Sequence, residues 1–412
     1  MAISAKDKKI LRDLAKKLGE VAARPIMKEK AELWRRLNSL ERVRPMILLQ
    51  NGTWHETGDQ IELQCEDEFA RGQEWGLRAT LYHAEHMPDD TVYTGVIYSP
   101  IVIHDTSWGI SANTTNPDHV FGARHYNCVI PDGADPASMI PESKVTVDWD
   151  ETEKAYQRLT DIYDGVLPVE KRGVAGYWFA IMDQFIQWRS LDKAFMDMVD
   201  NPKWLHTWLE WMTRRHISYV EQCEKLGVLS LNNGANGVGP GGLAFTDELP
   251  QKDFDGKHVR AKDQWAHATT QIFSLVSPAM HEEFALAYEK RFLSRFGLAG
   301  YGCCEPLDMK VDIILKHIPN LRRLSMSPWV DVARGAAALG KKAVFSYKPN
   351  PAILGMESWD RDLAERQLRD VLEKTRGCVV EVIMKDLHTV RKEPQRMWDW
   401  VALAMRLAEE YA

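Results

Sequence analysis

The sequence predicts an α/β protein, a (β/α)8 TIM barrel with an N-terminal helical and strand/loop extension. Three observations support this fold class. Short apolar runs alternate with longer helical patterns over most of the chain, the connections between them are short, and polar residues follow each apolar run. A chain of 412 residues is long enough for one such barrel with an extension.

The composition excludes several classes of protein. It is ordinary for a globular chain, with 45% hydrophobic and 27% charged residues. The formal net charge of −7, without a basic block, argues against nucleic acid and anionic membranes as partners. No apolar run approaches the ~20 residues that cross a bilayer, and the lysine-rich N-terminus does not resemble a signal peptide. We therefore expect a soluble cytoplasmic protein.

Two regions accompany the predicted core of the barrel. Residues 1–44 are the N-terminal helical extension, because charges alternate with Leu, Ile and Ala at helical spacing. The barrel domain is assigned to residues 45–412, and it opens with an apolar strand that ends at an Asn-Gly turn signal. Within it, residues 75–150 are β-branched and aromatic residues broken by Gly, Pro, Asn and Asp, which predicts a long strand and loop elaboration.

From residue 151 onward, helical patterns and strand-like runs alternate. The helical patterns cover 151–164, 189–226 with a break at 201–202, 259–296, 308–317, 330–339, 358–376 and the chain from about 394. The strand-like runs cover 228–231, 298–303, 321–326, 342–347 and 379–384. This alternation predicts a parallel sheet covered by helices.

Polar side chains follow the predicted strands at the end where a barrel places its active site. Asn233, Lys348 and Lys385 each come just after a strand-like run. As catalytic residues they could orient a substrate or stabilise a leaving phenolate. The glycine-rich segment 233–242 lacks a phosphate-binding fingerprint, and we interpret it as a flexible loop over the barrel mouth.

Adjacent cysteines at a strand end are the most informative feature. Cys303 and Cys304 offer soft thiolates, which suit zinc. Cys378 lies near the mouth if it belongs to a loop, but at the opposite end if the last strand begins there. Glu248 and Glu305 are candidate oxygen ligands, and burial as apolar residues is the alternative for the cysteines. The remaining cysteines are interpreted as structural: Cys65, Cys128 and Cys223.

Tryptophans outside the helical patterns suggest an apolar pocket. Trp54, Trp108 and Trp329 lie in predicted loops or at strand ends, and His55 is beside the first of them. Together they could bind a planar substrate. The tryptophans at 178, 188, 204, 208 and 211 mostly fall at helical spacing, so we expect them to pack in the core.

Three motifs resemble the uroporphyrinogen decarboxylase superfamily, and more narrowly its corrinoid-dependent methyltransferase branch. They are residues 198–206, 277–284 and 301–307, the last reading Tyr-Gly-Cys-Cys-Glu-Pro-Leu. The resemblance covers roughly residues 155–412 and implies the same (β/α)8 barrel. The arginine-rich substrate motif of the decarboxylases is absent from residues 40–60, which disfavours porphyrinogen decarboxylation.

The resemblance also implies a ligand set for zinc. The methyltransferase branch uses a His-x-Cys pair and a distant Cys, and here Tyr301 takes the place of the histidine. Cys303 and Cys378 match the two cysteines, and Cys304, Glu305 or Glu248 would replace the histidine. We therefore expect Cys303, Cys304, Cys378 and Glu248 to bind Zn²⁺.

The implied function is that of an O-demethylase component. Zinc would help to move a methyl group from a small methylated substrate, such as an aryl methyl ether, to Co(I). The sequence has no recognisable cobalamin-binding segment, so the corrinoid (cobalamin) would be carried by a separate corrinoid protein. Two alternatives stay open: methyl transfer from methylcorrinoid to a thiol or pterin, and a non-catalytic barrel that binds a tetrapyrrole or corrinoid. A homodimer is compatible with the sequence.

Overall fold

The computed structural model describes residues 3–117 and 122–412, so residues 118–121 of the predicted elaboration at 75–150 lie outside the described residues. The described strands are β1 Met46–Leu49, β2 Ile97–Pro100, β3 Val102–Asp105, β4 Asn113–Thr115, β5 His125–Asn127, β6 Val145–Asp148, β7 Val169–Arg172, β8 Trp265–Ala268, β9 Leu298–Tyr301, β10 Leu321–Met326, β11 Val344–Tyr347 and β12 Val379–Met384.

Helices connect and cover these strands. The described α-helices are α1 Ala5–Ala22, α2 Pro25–Asn38, α3 Trp54–Thr57, α4 Glu68–His86, α5 Pro136–Met139, α6 Trp149–Tyr163, α7 Ile181–Arg189, α8 Leu191–Asp200, α9 Pro202–Lys225, α10 Pro278–His281, α11 Ala287–Leu293, α12 Val311–His317, α13 Val332–Leu339, α14 Ala352–Gly355, α15 Arg361–Lys374 and α16 Gln395–Glu410. None of the described helices has the length and apolarity required to cross a membrane.

Six strands form the central sheet, in the order β1, β12, β11, β10, β9, β8, and all neighbours are parallel. The predicted parallel α/β architecture is therefore confirmed. Two parallel bridges, Val174–Leu229 and Phe179–Ala268, bring the segments 174–179 and 228–230 towards the β8 side. The six strands and the two bridges give a barrel-like arrangement. Within the described residues they do not form the closed ring of eight strands that the sequence predicted.

The inner face of the sheet is polar at its centre. We define this face by His267, Gly300, Arg323, Ser346 and Glu381, which the strand register places on neighbouring strands. The Arg323 Nε and Glu381 Oε1 atoms are 2.9 Å apart, and both side chains are buried. A buried ion pair of this kind needs further hydrogen bonds to offset its desolvation.

The glycine-rich segment supplies those hydrogen bonds. It was predicted to be a flexible loop over the barrel mouth, and that prediction is wrong, because the segment is hydrogen-bonded to the ion pair on the inner face. It forms a hairpin, residues 234–244, closed by a bridge between Gly237 and Leu243. The Gly242 amide donates to Glu381 Oε1 at 3.0 Å, and the Gly242 carbonyl accepts from Arg323 at 3.0 Å. A Cβ at Gly242 would lie 2.3 Å from the Trp34 ring, so only glycine allows this close packing.

The N-terminal helices pack against this arrangement. In α2, the buried Trp34 belongs to an apolar cluster with residues of β1, β11 and β12. Asn38, at the end of α2, donates to the carbonyl of Leu243 at 2.8 Å and accepts from Arg323 at 2.9 Å. The segment assigned to an extension is thus part of the packing that covers the inner face.

Two local predictions are wrong. Helix α4 occupies the start of the region predicted to be strands and loops. Its buried positions include Ala70, Glu74 and Leu77, and the carboxylate of Glu74 hides the apolar period of the helix in the sequence. Strand β8 lies inside the predicted helix 259–296. The sequence does not reveal it, because Trp265–Ala268 is short and has no β-branched residue.

Candidate active site

A glycine turn positions the two neighbouring cysteines just beyond β9. Gly302 has a φ of +84°, which favours glycine, and turns the chain out of the strand. Cys303 is buried, whereas Cys304 is exposed. The Cys303 amide donates to Glu305 Oε2 at 2.9 Å, and Thr269 Oγ1 donates to Glu305 Oε1 at 2.9 Å. These hydrogen bonds fix the backbone that presents both thiols at the carboxyl edge of the sheet.

Lys385 lies between these thiols, one residue past the end of β12. Its Nζ atom is 3.6 Å from Cys303 Sγ and 3.4 Å from Cys304 Sγ, and it also pairs with the Asp386 carboxylate. The two sulfur atoms are 3.4 Å apart. Burial of Lys385 opposes its charge, but the surrounding thiols and Asp386 outweigh this and raise its pKa. Lys385 therefore stays an ammonium ion beside the cysteines.

The two thiols share a proton unequally. The hydrogen bond from Cys303 stabilises the Cys304 thiolate, Lys385 adds to this effect, and the pKa of Cys304 falls to about 7. The same hydrogen bond raises the pKa of Cys303, which remains the donor. The exposed sulfur is thus the one that carries negative charge near neutral pH, and a thiolate is the nucleophilic form of cysteine.

Lys348 directly follows β11 and lies on the same side of the sheet as the cysteines. It is buried, and its Nζ atom donates to the carbonyl of Ser346 at 2.9 Å. Burial lowers the pKa of Lys348 to about 7, although Glu381 acts in the opposite direction. Lys348 can therefore give or take a proton near neutral pH.

A buried hydrogen-bonded cluster of Glu289, Tyr301 and His281 lies behind these strand ends, and it was not predicted from the sequence. Glu289 accepts hydrogen bonds from Thr270 Oγ1 at 2.8 Å and Tyr301 OH at 2.7 Å, and His281 Nε2 lies 2.7 Å from the same phenol oxygen. Burial raises the pKa of Glu289 to about 8. The signal that could have revealed it is a carboxylate on the buried face of α11, between Tyr288 and Phe292.

The predicted zinc ligand set requires correction, because two of its members lie at the other edge of the sheet. Cys378 precedes β12, whereas Lys385 follows it, and a strand of six residues spans roughly 20 Å. Glu248 pairs with Arg322, the second residue of β10, at the amino edge. Neither residue can join Cys303 and Cys304 around one metal ion in this structure.

The remaining donors do not fit zinc either. A catalytic zinc site needs at least three protein ligands around one free point, and here the Lys385 ammonium occupies the point between Cys303, Cys304 and Asp386. Glu305 is already hydrogen-bonded to Thr269 and to the Cys303 amide. Across residues 3–117 and 122–412, no group of three or more His, Cys, Asp or Glu side chains is arranged to bind a metal.

The predicted substrate-binding residues are dispersed. Trp329 is 69% exposed and follows β10 at the carboxyl edge. Trp54 packs edge-on against Trp75 and Tyr82, with ring centroids 5.7 Å apart in each case. The Arg215 guanidinium carbon lies 4.1 Å from the centre of the Trp108 ring. Trp108 is partly buried and packs against the main apolar cluster.

Two further predicted residues have other surroundings. The exposed His55 lies on the short helix α3. The Asn233 amide donates to the carbonyl of Leu249 at 2.6 Å, a loop contact. Of the predicted catalytic residues, the structure brings Lys348 and Lys385 to the side of the cysteines, and it gives Asn233 a structural hydrogen bond.

Comparisons with known proteins add little to this description. No family model matches the chain, and no curated protein matches it. Among solved structures, the chain is similar to a methyltransferase from Methanosarcina mazei, with 12% identity, a TM-score of 0.48, and coverage of 92% of this chain and 98% of that chain. The chemistry of this protein must therefore be argued from its own side chains.

Proposed function

We propose that this protein is a methyltransferase in which the Cys304 thiolate accepts the methyl group. The observation that carries the proposal is an exposed thiol, 3.4 Å from both Lys385 Nζ and Cys303 Sγ, at the carboxyl edge of a parallel sheet. That edge is where α/β barrels place their active sites. A stabilised thiolate with access to solvent is suited to nucleophilic attack on a small substrate.

The proposed substrate is an aryl methyl ether. The Cys304 thiolate attacks the methyl carbon, the new S–C bond forms as the C–O bond breaks, and the electron pair stays on the phenolate oxygen. Lys348, with a pKa of about 7, is the candidate donor of the proton that the phenolate takes up. The hydrogen bond from Cys303 and the Lys385 ammonium hold Cys304 in its charged form before the attack.

The proposed final acceptor is Co(I) of a separate corrinoid protein, which would take the methyl group as the S–C bond breaks and its electron pair returns to sulfur, so that the Cys304 thiolate is restored. The support for this partner is the resemblance of residues 301–307 to the corrinoid-dependent branch. The exposure of Cys304 leaves the sulfur accessible to such a partner. No step is assigned to zinc, because the side chains around Cys303 and Cys304 do not fit it. The reverse transfer, from methylcorrinoid to a thiol or pterin, and a non-catalytic binding role remain the competing proposals.

The proposal is tested by looking for the methylated cysteine. The purified protein is incubated with guaiacol and other methoxybenzenes, and the peptide that contains Cys303 and Cys304 is analysed by mass spectrometry. We expect one methyl group on Cys304 and release of an equal amount of the phenol.

Two variants serve as controls for this experiment. Cys304→Ser should abolish both signals, whereas Cys128→Ser, at a cysteine whose thiol contacts Ile130 and Arg189, should leave them unchanged. Phenol release that persists in Cys304→Ser would exclude the thiolate as methyl acceptor. Absence of methylation in the wild-type protein with every donor would exclude the aryl ether substrate.

A further inference from the structure

The two neighbouring cysteines present their sulfur atoms on the same side of the chain, which adjacent residues of a strand do not do. Successive side chains of an extended strand point to opposite faces of the sheet. Beyond β9 the chain bends over residues 303–305, directly after the positive φ of Gly302. As a result, the Cys303 and Cys304 sulfur atoms lie 3.4 Å apart, and the Lys385 ammonium contacts both of them. The bend therefore creates a vicinal dithiol.

The two sulfur atoms of this dithiol differ in their access to solvent. Cys304 is exposed, whereas Cys303 is only 5% exposed and its amide is fixed by Glu305. A small oxidant from solvent therefore meets Cys304 first, and the ammonium of Lys385 beside it favours the reactive thiolate. An exposed thiolate next to a second, shielded thiol is typical of cysteines that are oxidised reversibly.

We infer that Cys303 and Cys304 are a modification site, which a hydroperoxide such as hydrogen peroxide oxidises to a disulfide between the two neighbouring residues. The Cys304 thiolate attacks one peroxide oxygen, the O–O bond breaks, and the products are a sulfenic acid on Cys304 and a hydroxide ion. The sulfur of Cys303 then attacks the sulfur of Cys304. The S–O bond breaks, and the departing hydroxide takes the Cys303 proton and leaves as water. The two sulfur atoms together lose two electrons, which reduce the peroxide.

The backbone makes such a disulfide easy to reduce again. The peptide bond between Cys303 and Cys304 is trans, and Cα atoms joined by a trans peptide are about 3.8 Å apart. Disulfides usually join Cα atoms that are roughly 4.4–6.8 Å apart, so a bond between neighbours is strained and more readily reduced. We therefore expect thiol reductants to restore the dithiol.

This oxidation removes the thiolate that the proposed function requires. Its consequence for methyl transfer rests on that function, because a sulfur in an S–S bond no longer attacks a methyl carbon. The oxidation itself does not rest on it, and its test uses neither a methyl donor nor a corrinoid. Failure of the inference can therefore be distinguished from failure of the proposed function.

Mass spectrometry of one tryptic peptide tests the inference. Trypsin cuts after Arg295 and Lys310, and the peptide between these sites contains both cysteines and no third one. The reduced protein is treated with hydrogen peroxide, then unfolded and alkylated with iodoacetamide. We expect the untreated peptide to carry an alkyl group on each cysteine. The treated peptide should carry none, and it should be lighter than the free dithiol peptide by the mass of two hydrogens. Dithiothreitol added before alkylation should restore both alkyl groups.

Serine variants assign the role of each cysteine. In Cys303→Ser, oxidation should stop at a sulfenic acid on Cys304, which dimedone labels, and no disulfide should form. Cys304→Ser should lose most of the peroxide sensitivity of the peptide, because the remaining thiol is shielded. Cys128→Ser is the matched control and should behave like the wild type. Circular dichroism shows whether each variant is folded.

Protein unfolded in urea shows what the fold contributes. It has the same adjacent cysteines but lacks the bend and the contacts with Lys385, and an ordinary cysteine is mostly a thiol at neutral pH. We expect the disulfide to form roughly tenfold more slowly in unfolded than in native protein at neutral pH. The inference would be overturned by equal rates in the two states, by full alkylation of the peroxide-treated wild-type peptide, or by a disulfide from this peptide to another cysteine.

Discussion

The charge of the candidate nucleophile Cys304 depends first on the hydrogen bond from Cys303 and then on Lys385. The Lys385 ammonium group contacts both cysteine sulfurs and the Asp386 carboxylate, so the cluster holds its own cation. The Cys303 thiol adds a hydrogen bond to Cys304 at 3.4 Å. These contacts favour the thiolate form of the exposed cysteine, and replacement of Lys385 by an uncharged residue should reverse part of that effect.

The pH dependence of alkylation should therefore depend on Lys385. The thiolate is the reactive form, so the rate at which iodoacetamide labels Cys304 should rise with pH and reach half its maximum near pH 7. Lys385→Met should move this midpoint upward, towards the value of about 8.5 for an ordinary cysteine. Lys342→Met, on a distant surface, is the matched control. Identical midpoints in wild type and Lys385→Met would refute the assigned role.

At the scale of elements, α2 and the glycine-rich hairpin together close the inner face of the sheet. Trp34 of α2 is fully buried, its indole N–H donates to the Asp90 carbonyl at 2.9 Å, and its ring packs on Gly242 of the hairpin. The hairpin in turn hydrogen-bonds Glu381 of β12 and Arg323 of β10. Loss of the indole would leave a cavity between three elements at once.

Trp34→Ala should destabilise the protein by about 3–5 kcal/mol, the usual cost of removing a buried aromatic side chain. Urea denaturation followed by circular dichroism measures this free energy of unfolding. Trp149→Ala is the control, because Trp149 is 52% exposed and should change the stability far less. Equal effects of the two substitutions would mean that α2 is a peripheral extension, as its sequence pattern alone suggested.

How far the sequence predicts each element depends on the clarity of its pattern. Strands β10 and β12 match the predicted runs 321–326 and 379–384, and in β12 five of the six residues are apolar. Strand β8 was missed because alanine and histidine carry little strand preference. Helix α4 was missed because the buried Glu74 interrupts its apolar stripe.

The same reasoning explains the candidate site. The rule that functional groups follow strands correctly placed Cys303, Cys304, Lys348 and Lys385 at one edge. The rule could not place Cys378, because the sequence does not show whether the last strand begins before or after this cysteine. In the structure β12 begins at Val379, so Cys378 lies at the amino edge. The hydrogen bonds among Glu289, Tyr301 and His281 depend on tertiary contacts that no local pattern reveals.

At the scale of the whole molecule, the two edges of the sheet have different chemistry. The carboxyl edge carries both vicinal cysteines and Lys385, whereas Cys378 and the Glu248–Arg322 ion pair lie at the amino edge. A metal site built from all four predicted ligands would have to span roughly the length of β12, which a single ion cannot do. Any zinc would have to compete with the Lys385 ammonium for the two carboxyl-edge thiols.

Metal content per chain therefore separates an ammonium-stabilised thiolate from a zinc site. We expect elemental analysis of protein purified without chelators to find far less than one zinc per chain, because the Lys385 ammonium already lies between Cys304 and Asp386. Cys378→Ser should not change this result, since its sulfur contacts the Ala336 carbonyl at 3.7 Å, far from Lys385. About one zinc per chain, lost in the Cys303→Ser/Cys304→Ser double variant and retained in Cys378→Ser, would show that the metal displaces Lys385. Methyl transfer would then have to be assigned to a metal-bound thiolate.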